Sequence, residues 1–152
     1  MTEREPRAAP PTAGDLMCET ELVIPLAMSV GAAARLLEAV GVGIAPVVDS
    51  VGRCVGVFTV PYYRRWLDRA DRDTEAAPAG TDEVRHHMTR RFGLATPATG
   101  VQELLHRLGA APDPFLVVLD RQRRPRGIVY ALDVLVAESN AARVGSHIAE
   151  AQ

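Results

Sequence analysis

Apolar residues at Val30, Ala33, Ala34 and Leu37 recur at helical spacing, with Ser29 placed to cap the first turn and Gly41 to end it. Two apolar runs follow, Ile44-Ala-Pro-Val-Val48 and Cys54-Val-Gly-Val-Phe58, joined by Asp49-Ser-Val-Gly52. Short apolar runs on either side of a turn-forming tetrapeptide predict a hairpin. Upstream, Glu21-Leu-Val-Ile24 predicts a short strand. Downstream, Thr59-Val-Pro61 predicts a helix start, with Pro tolerated in the first turn, and that helix is expected to run through Trp66 towards Ala70. The pattern reads β-α-β-β-α.

The same order then returns. Phe92-Gly-Leu-Ala95 predicts a strand, and Thr99 with Gln102 predicts a capping box for a helix carrying Val101, Leu104, Leu105 and Leu108. Phe115-Leu-Val-Val-Leu119 and Arg126-Gly-Ile-Val-Tyr130 predict a second hairpin around Asp120 to Arg124, and a last helix is expected from near Leu132 through Val136. The two copies superpose without a gap at an offset of 127 − 56 = 71 residues, read from Gly127 and Gly56. That offset also pairs Met17 with Met88, Val30 with Val101, Leu37 with Leu108, Val47 with Val118, Asp49 with Asp120 and Arg53 with Arg124. Each copy is too small to bury a core comfortably, so the copies are expected to pack together and leave a ligand cleft at their pseudo-two-fold interface. The implied organisation is a polar, Pro/Ala-rich tail over 1–13 that is expected to be disordered, a first copy over 14–70, a charged linker over 71–82, a second copy over 83–142 and a tail over 143–152.

Composition narrows the function classes. A hydrophobic fraction of 47% with 24% charged residues is that of an ordinary globular domain. The net charge of −2 gives no general attraction to nucleic acid or anionic membranes. All 17 basic residues are Arg, which points to a GC-rich genome before it points to a demand for guanidinium. The start, Met1 to Arg7, lacks the apolar run of a signal peptide, and no apolar stretch is long enough to span a membrane. A cytoplasmic protein is therefore expected, with Cys18 and Cys54 as reduced thiols. No metal-ligand spacing is present; the adjacent His86-His87 reads as surface helix. Arg121, Arg123, Arg124 and Arg126 read as a solvated turn, and Arg64 and Arg65 as an exposed helix face.

The residues themselves suggest a family. The run Gly41-Val-Gly-Ile-Ala-Pro-Val-Val-Asp49, the turn Gly52-Arg, the run Val55-Gly-Val-Phe-Thr59 and the preceding Asp15-Leu-Met17 resemble a CBS domain. Glu83-Val-Arg-His-His-Met-Thr89 through Gly127-Ile-Val-Tyr-Ala-Leu-Asp133 resembles a second one. The resemblance spans about residues 14–142 and implies a stand-alone CBS pair (a Bateman module) of mixed α/β class, built from two β-α-β-β-α repeats with pseudo-two-fold symmetry. It also implies two clefts between the copies, a disc-like homodimer, and a regulatory ligand containing adenosine (AMP, ADP, ATP or S-adenosylmethionine) in place of any required cofactor.

Nucleotide-binding relatives carry Gly, two apolar residues, Thr or Ser, two more residues, then Asp. The hydroxyl at a helix N-terminus suits a phosphate, and the carboxylate accepts from a ribose diol. This chain splits that signature. The first copy, Gly56-Val-Phe-Thr59-Val-Pro-Tyr62, keeps the Thr and places Tyr62 at the Asp position. The second, Gly127-Ile-Val-Tyr130-Ala-Leu-Asp133, keeps the Asp and places Tyr130 at the Thr position. The cleft holding Asp133 is the first candidate for a nucleoside, with Tyr130 or Tyr62 able to stack on a base. By position, Val23, Ile44, Ala45 and Pro46 of the first copy and Leu94 and Phe115 of the second would lie against the ligand. The second copy departs from the pattern with Pro112 for a Gly and Val117 for a Pro. Each residue also has a structural reading: Thr59 as an N-cap, Asp133 as an acid favouring a helix N-terminus, the tyrosines as half-buried helix starts, Asp49 and Asp120 as turn formers, and Trp66 as a core or dimer-face residue.

Two functions fit. One is a homodimeric sensor that binds an adenosine-type metabolite and signals through an unidentified protein partner by shifting the angle between its copies. The other is a degenerate pair that binds no ligand and serves as a dimerising scaffold. No catalytic triad, paired carboxylates or phosphate loop is visible, and the four His are scattered, so no enzyme activity, nucleic-acid partner or membrane partner is expected.

Overall fold

Each copy's hairpin packs its own helix on one side and the other copy's hairpin on the other. A computed structural model describes residues 10–61, 63–65 and 81–150. In chain order the elements are α1 (Ala13–Leu16), β1 (Cys18–Glu19), β2 (Ile24–Pro25), α2 (Val30–Val40), β3 (Ile44–Val48) and β4 (Cys54–Thr59), with helical residues at 60, 61 and 63–65. A 3-10 turn (Val84–His86) then leads to β5 (Gly93–Ala95), α3 (Val101–Ala110), β6 (Phe115–Leu119), β7 (Pro125–Tyr130) and α4 (Ala131–Glu150). The expected order β-α-β-β-α therefore occurs twice. Tyr62, Trp66 and nearly all of the expected linker lie outside the described residues.

Local chemistry explains most boundaries. The Ser29 hydroxyl accepts from the Ala32 N–H at 3.2 Å and opens α2, and Gly41 closes it in the left-handed region at φ 84°. Both hairpins turn alike: Asp49 Oδ1 accepts from the backbone N–H of Val51 and Arg53, as Asp120 Oδ1 does from Gln122 and Arg124. Both also shift register once, between Val47 and Val48 and between Val118 and Leu119. Four sequence expectations are revised. Gly100, and not Thr99, is the N-cap of α3; the Thr99 hydroxyl accepts from the Thr96 N–H at 3.0 Å within the preceding turn. The strand expected at Glu21–Ile24 pairs only from Ile24, because the residues before it turn aside into a cleft. His87 is not a surface-helix residue: its ring is mostly buried, with Nε2 2.7 Å from Asp82 Oδ2, and that hydrogen bond holds the Asp82 carboxyl below its usual range. The last helix runs far past Val136, to Glu150.

The sheets are completed by exchange. The first copy supplies a three-stranded sheet, β2-β3-β4, and the second a four-stranded sheet, β1-β7-β6-β5. Strand β1 lies at the start of the first copy yet pairs antiparallel with β7 of the second, Cys18 opposite Ile128. Its counterpart repeats the exchange, since Thr89 bridges Val57 of β4. The preceding residues follow suit: Thr12 bridges Gly100 and Glu83 bridges Ser29. Ala13, within the stretch that composition assigns to a tail, is wholly buried in the second copy's core, and Val84 is wholly buried in the first's. Each copy's entry arm thus belongs to the other copy's fold.

Three apolar clusters result. One lies under α2 around Phe58, Leu37 and Ile24, and a second under α3 around Leu104, Leu116 and Val129. The third joins the copies, with Cys54 and Val57 against Phe115, Val117, Leu119 and Ile128. Cys54 is a free thiol in that interface, and burial pushes its pKa up to about 11, whereas Cys18 is free and exposed. A thiol reagent at pH 8 is expected to modify one cysteine rapidly in the folded protein and two after denaturation. Two rapid equivalents in the folded state would refute the buried placement of Cys54. The raised pKa also carries a sign: its stabilising contribution is complete below the unfolded thiol's pKa and is lost as pH rises towards about 11.

Candidate ligand clefts between the two copies

The exchange of arms builds a cleft. After β1, Thr20, Glu21 and Leu22 leave the second copy's sheet and cross to β2 of the first. Together with Ile44 and Pro46 of β3 and Ile128 and Tyr130 of β7 they line the cavity. The cavity measures about 330 Å3, within the range of small-ligand pockets. Its walls come from both copies. Glu19 and Glu21, both exposed, give the rim a negative charge, and among the described residues no cationic side chain lines it.

Tyr130 lines this space, and the Thr20 hydroxyl lies buried behind its wall; neither is consumed by the fold. The Thr20 hydroxyl is buried and has no hydrogen-bond partner among the described residues, although the Thr20 backbone N–H donates to the Arg126 carbonyl at 3.0 Å. A buried hydroxyl left unpaired costs about 1–3 kcal/mol, so its place in a cavity wall calls for a reason. The Tyr130 phenol is half-buried, and its pKa is raised first by desolvation and then by the proximity of Cys18 and Asp133. It therefore remains a neutral donor at physiological pH. Asp133 stands exposed in the first turn of α4, near enough for its charge to act on Tyr130, but it does not line the cavity.

The sequence-derived candidates separate accordingly. Tyr130, Ile44 and Pro46 share the cleft. Ala45, their neighbour, points the other way and is wholly buried in the first copy's core, as strand alternation requires. Val23 is exposed outside the cleft. Thr59 ends β4 half-buried and is engaged in interactions of its own. Phe115 is 5% exposed in the inter-copy cluster, so the Ile44 position of the second copy is filled by a ring. Leu94 lines a different cavity with Arg53, Arg90 and Arg123. Cys18 to Leu22, Val42 and Ile128 escaped sequence reasoning; the one available signal was the pairing of Met17 with Met88, which marks an arm before each copy. Among the described residues, no group of three or more His, Cys, Asp or Glu side chains is placed to hold a metal ion, and no helix is long and apolar enough to cross a membrane.

Comparison with known proteins agrees with this architecture. The family model described as CBS domain matches residues 13–66. No curated protein matches the sequence. Among solved structures, a CBS domain-containing protein of unknown function from Bacillus anthracis str. Ames Ancestor is 16% identical, with a TM-score of 0.71 over 85% of this chain and 93% of that one. The CBS-pair protein CBSX2 from Arabidopsis thaliana is 23% identical, with a TM-score of 0.67 over 89% of this chain and 99% of that one. CBSX2 solved in complex with AMP is 24% identical, with a TM-score of 0.68 over 87% of this chain and 98% of that one. A CBS domain pair solved with 5'-methylthioadenosine and S-adenosyl-L-methionine is 20% identical, with a TM-score of 0.67 over 88% of this chain and 99% of that one. The family model thus marks a CBS domain in the first copy, and the described chain has the fold of the CBS pairs it is similar to.

Proposed function

We propose that this protein is a regulatory module that binds an adenosine-containing metabolite in the cleft between β1, β3 and β7, and passes the change in inter-copy geometry to a partner protein. The observation that carries this reading is a cavity lined by both copies, with Tyr130 in its wall and the unpaired Thr20 hydroxyl buried just behind it. A ligand there bridges the copies, so its binding energy acts directly on their relative angle. Two similar structures, with AMP and with 5'-methylthioadenosine and S-adenosyl-L-methionine, add support.

The rim charge refines the ligand. Glu19 and Glu21 repel a polyphosphate and attract a cation. Tyr130 takes the volume of a phosphate-binding Thr and offers a ring face to a base. The favoured occupant is an adenosine carrying a neutral or positive 5' group, such as S-adenosylmethionine, ahead of ATP. Asp133 would accept from the ribose after a small movement of the α4 start.

The scaffold alternative also has an observation in its favour. Leu132, Leu135 and Val136 of α4 are 70%, 52% and 50% exposed and form one stripe. A second copy of the chain covering that stripe would make the homodimer.

One experiment decides between the two readings. Thermal-shift titration with S-adenosylmethionine, 5'-methylthioadenosine, AMP, ADP and ATP is expected to show stabilisation by the first two, of about 2.7 kcal/mol at a hundredfold excess over Kd. Asp133→Ala and Thr20→Val are expected to weaken it roughly tenfold each, the value of a hydrogen bond to a charged or buried group. No shift with any adenosine compound would favour the scaffold. Undiminished affinity in both variants would refute the site.

A further inference from the structure

At the turn end of the first hairpin, away from Ile44 and the nucleoside cleft, lies a second cavity of about 560 Å3 with the opposite charge. Arg53, Arg90 and Arg123 line it, from the first hairpin turn, the arm before β5 and the second hairpin turn. Asp49 is the one carboxylate among its lining residues, and its oxygens are committed: Oδ1 to the N–H groups of Val51 and Arg53, Oδ2 to Arg53 Nε at 3.1 Å. The backbone hydrogen bond from Arg53 is the chief cause holding that carboxyl below its usual range. The side chains of Arg90 and Arg123 make no hydrogen bond or ion pair among the described residues. Among the described residues, three guanidiniums against one carboxylate leave a positive excess in this cavity. The remaining wall includes Phe92 and Leu94.

The backbone singles out Arg123. It sits at φ 64°, the non-glycine residue with positive φ among those described, where the first copy has Gly52 at φ 86°. A side chain is held at a position that favours glycine, an outlier of the kind that accompanies function. Its carbonyl accepts from the Cys54 N–H across the copies at 2.9 Å, which anchors the turn to β4. The symmetric bond cannot form, because Pro125 stands where Cys54 repeats and has no N–H. The turn that carries Arg123 is thereby fixed over this one cavity.

We infer that the cavity binds a small phosphorylated molecule, its phosphate held between Arg90, Arg123 and the free Nη atoms of Arg53, its organic part against Phe92 and Leu94. Forked guanidiniums match phosphate oxygens, and an open cavity of this volume with an apolar wall at Phe92 and Leu94 suits a small ligand with an organic part. This inference is independent of the nucleoside reading.

The test is calorimetric titration of the full chain, at low ionic strength, with pyrophosphate, inorganic phosphate and phenyl phosphate. One phosphate probe is expected to bind per chain, with phenyl phosphate tighter than inorganic phosphate and affinity falling as salt rises. Arg90→Gln and Arg123→Gly are each expected to weaken binding roughly tenfold, the loss of a charge-assisted hydrogen bond. Arg123→Gly removes the guanidinium while suiting the backbone, so its melting temperature should rise, which separates lost binding from lost folding. Arg121→Gln, an exposed change on the same turn, should leave the affinity within about twofold. Absence of binding by all three probes, unchanged affinity in Arg90→Gln and Arg123→Gly, or equal weakening by Arg121→Gln would overturn the site. Equal affinity for inorganic and phenyl phosphate would overturn the organic subsite.

Discussion

Removing residues 1–20 is expected to unfold the second copy before the first. The described residues of that segment open the first copy, but their bonds run to the second. The Ala13 N–H donates to the Thr99 carbonyl at 2.8 Å, Gly14 to Pro97 at 2.9 Å and Thr20 to Arg126 at 3.0 Å. At about 1 kcal/mol net for each, with burial of Ala13 and Met17 in addition, the loss exceeds roughly 3 kcal/mol. Such a loss is a large share of the stability of a domain this size. β7 would also become an unpaired edge. Hydrogen exchange on the truncated chain should show protection lost first over β6 and β7, with β3 and β4 following. Loss confined to the first copy would contradict the exchange of arms.

Gly127→Ala is expected to cost about 1–3 kcal/mol, and Gly56→Ala distinctly less, although the two glycines occupy equivalent places. A Cβ at Gly127 would lie 2.6 Å from the Cys18 carbonyl oxygen and 2.7 Å from Met17 Sδ. A Cβ at Gly56 would lie 2.5 Å from Met88 Sδ, with its nearest backbone oxygen, that of Thr89, at 3.1 Å. A thioether can swing aside; a carbonyl in a paired strand cannot move without breaking the pairing. Denaturant unfolding of Gly56→Ala with Met88→Ala should show favourable coupling between the two changes, and Gly127→Ala with Met17→Ala should show little. Equal costs at the two glycines, or strong coupling at the second pair, would mean that the arm adjusts freely over β7.

These two results would also report on the ligand cleft. Thr20, Glu21 and Leu22 are placed by the arm's pairing with β7. Gly127→Ala, which loosens β1 without changing a residue that lines the cleft, should therefore weaken binding of the proposed ligand.

The elements that carry their own local chemistry were legible in the sequence. The hairpin strands Ile44–Val48 and Phe115–Leu119 are displaced by the offset of the repeat at both ends, as are Cys54–Thr59 and Pro125–Tyr130. Apolar runs and an Asp that closes the turn with its own carboxylate are short-range properties, so a local reading reaches them. The repeat is the better guide where the two disagree. Local chemistry favours Thr99 as a cap, but the residue equivalent to Ser29 is Gly100, and Gly100 caps α3.

The cleft was legible only in part. The split of the signature marked Tyr130, and the resemblance marked Ile44 and Pro46, all three of which meet in one cavity. The residues opposite them had no such mark, because β1 is two residues long and shows no alternation to read. By itself the sequence determined the repeat, the elements within each copy and the family they suggest, since those rest on neighbours along the chain. Tertiary structure alone decided which arm completes which sheet, that Phe115 fills one cleft while Ile44 leaves the other open, and that Arg53, Arg90 and Arg123 meet in one cavity. Each of these depends on strand pairing or packing between residues far apart in the chain, where periodicity carries no information.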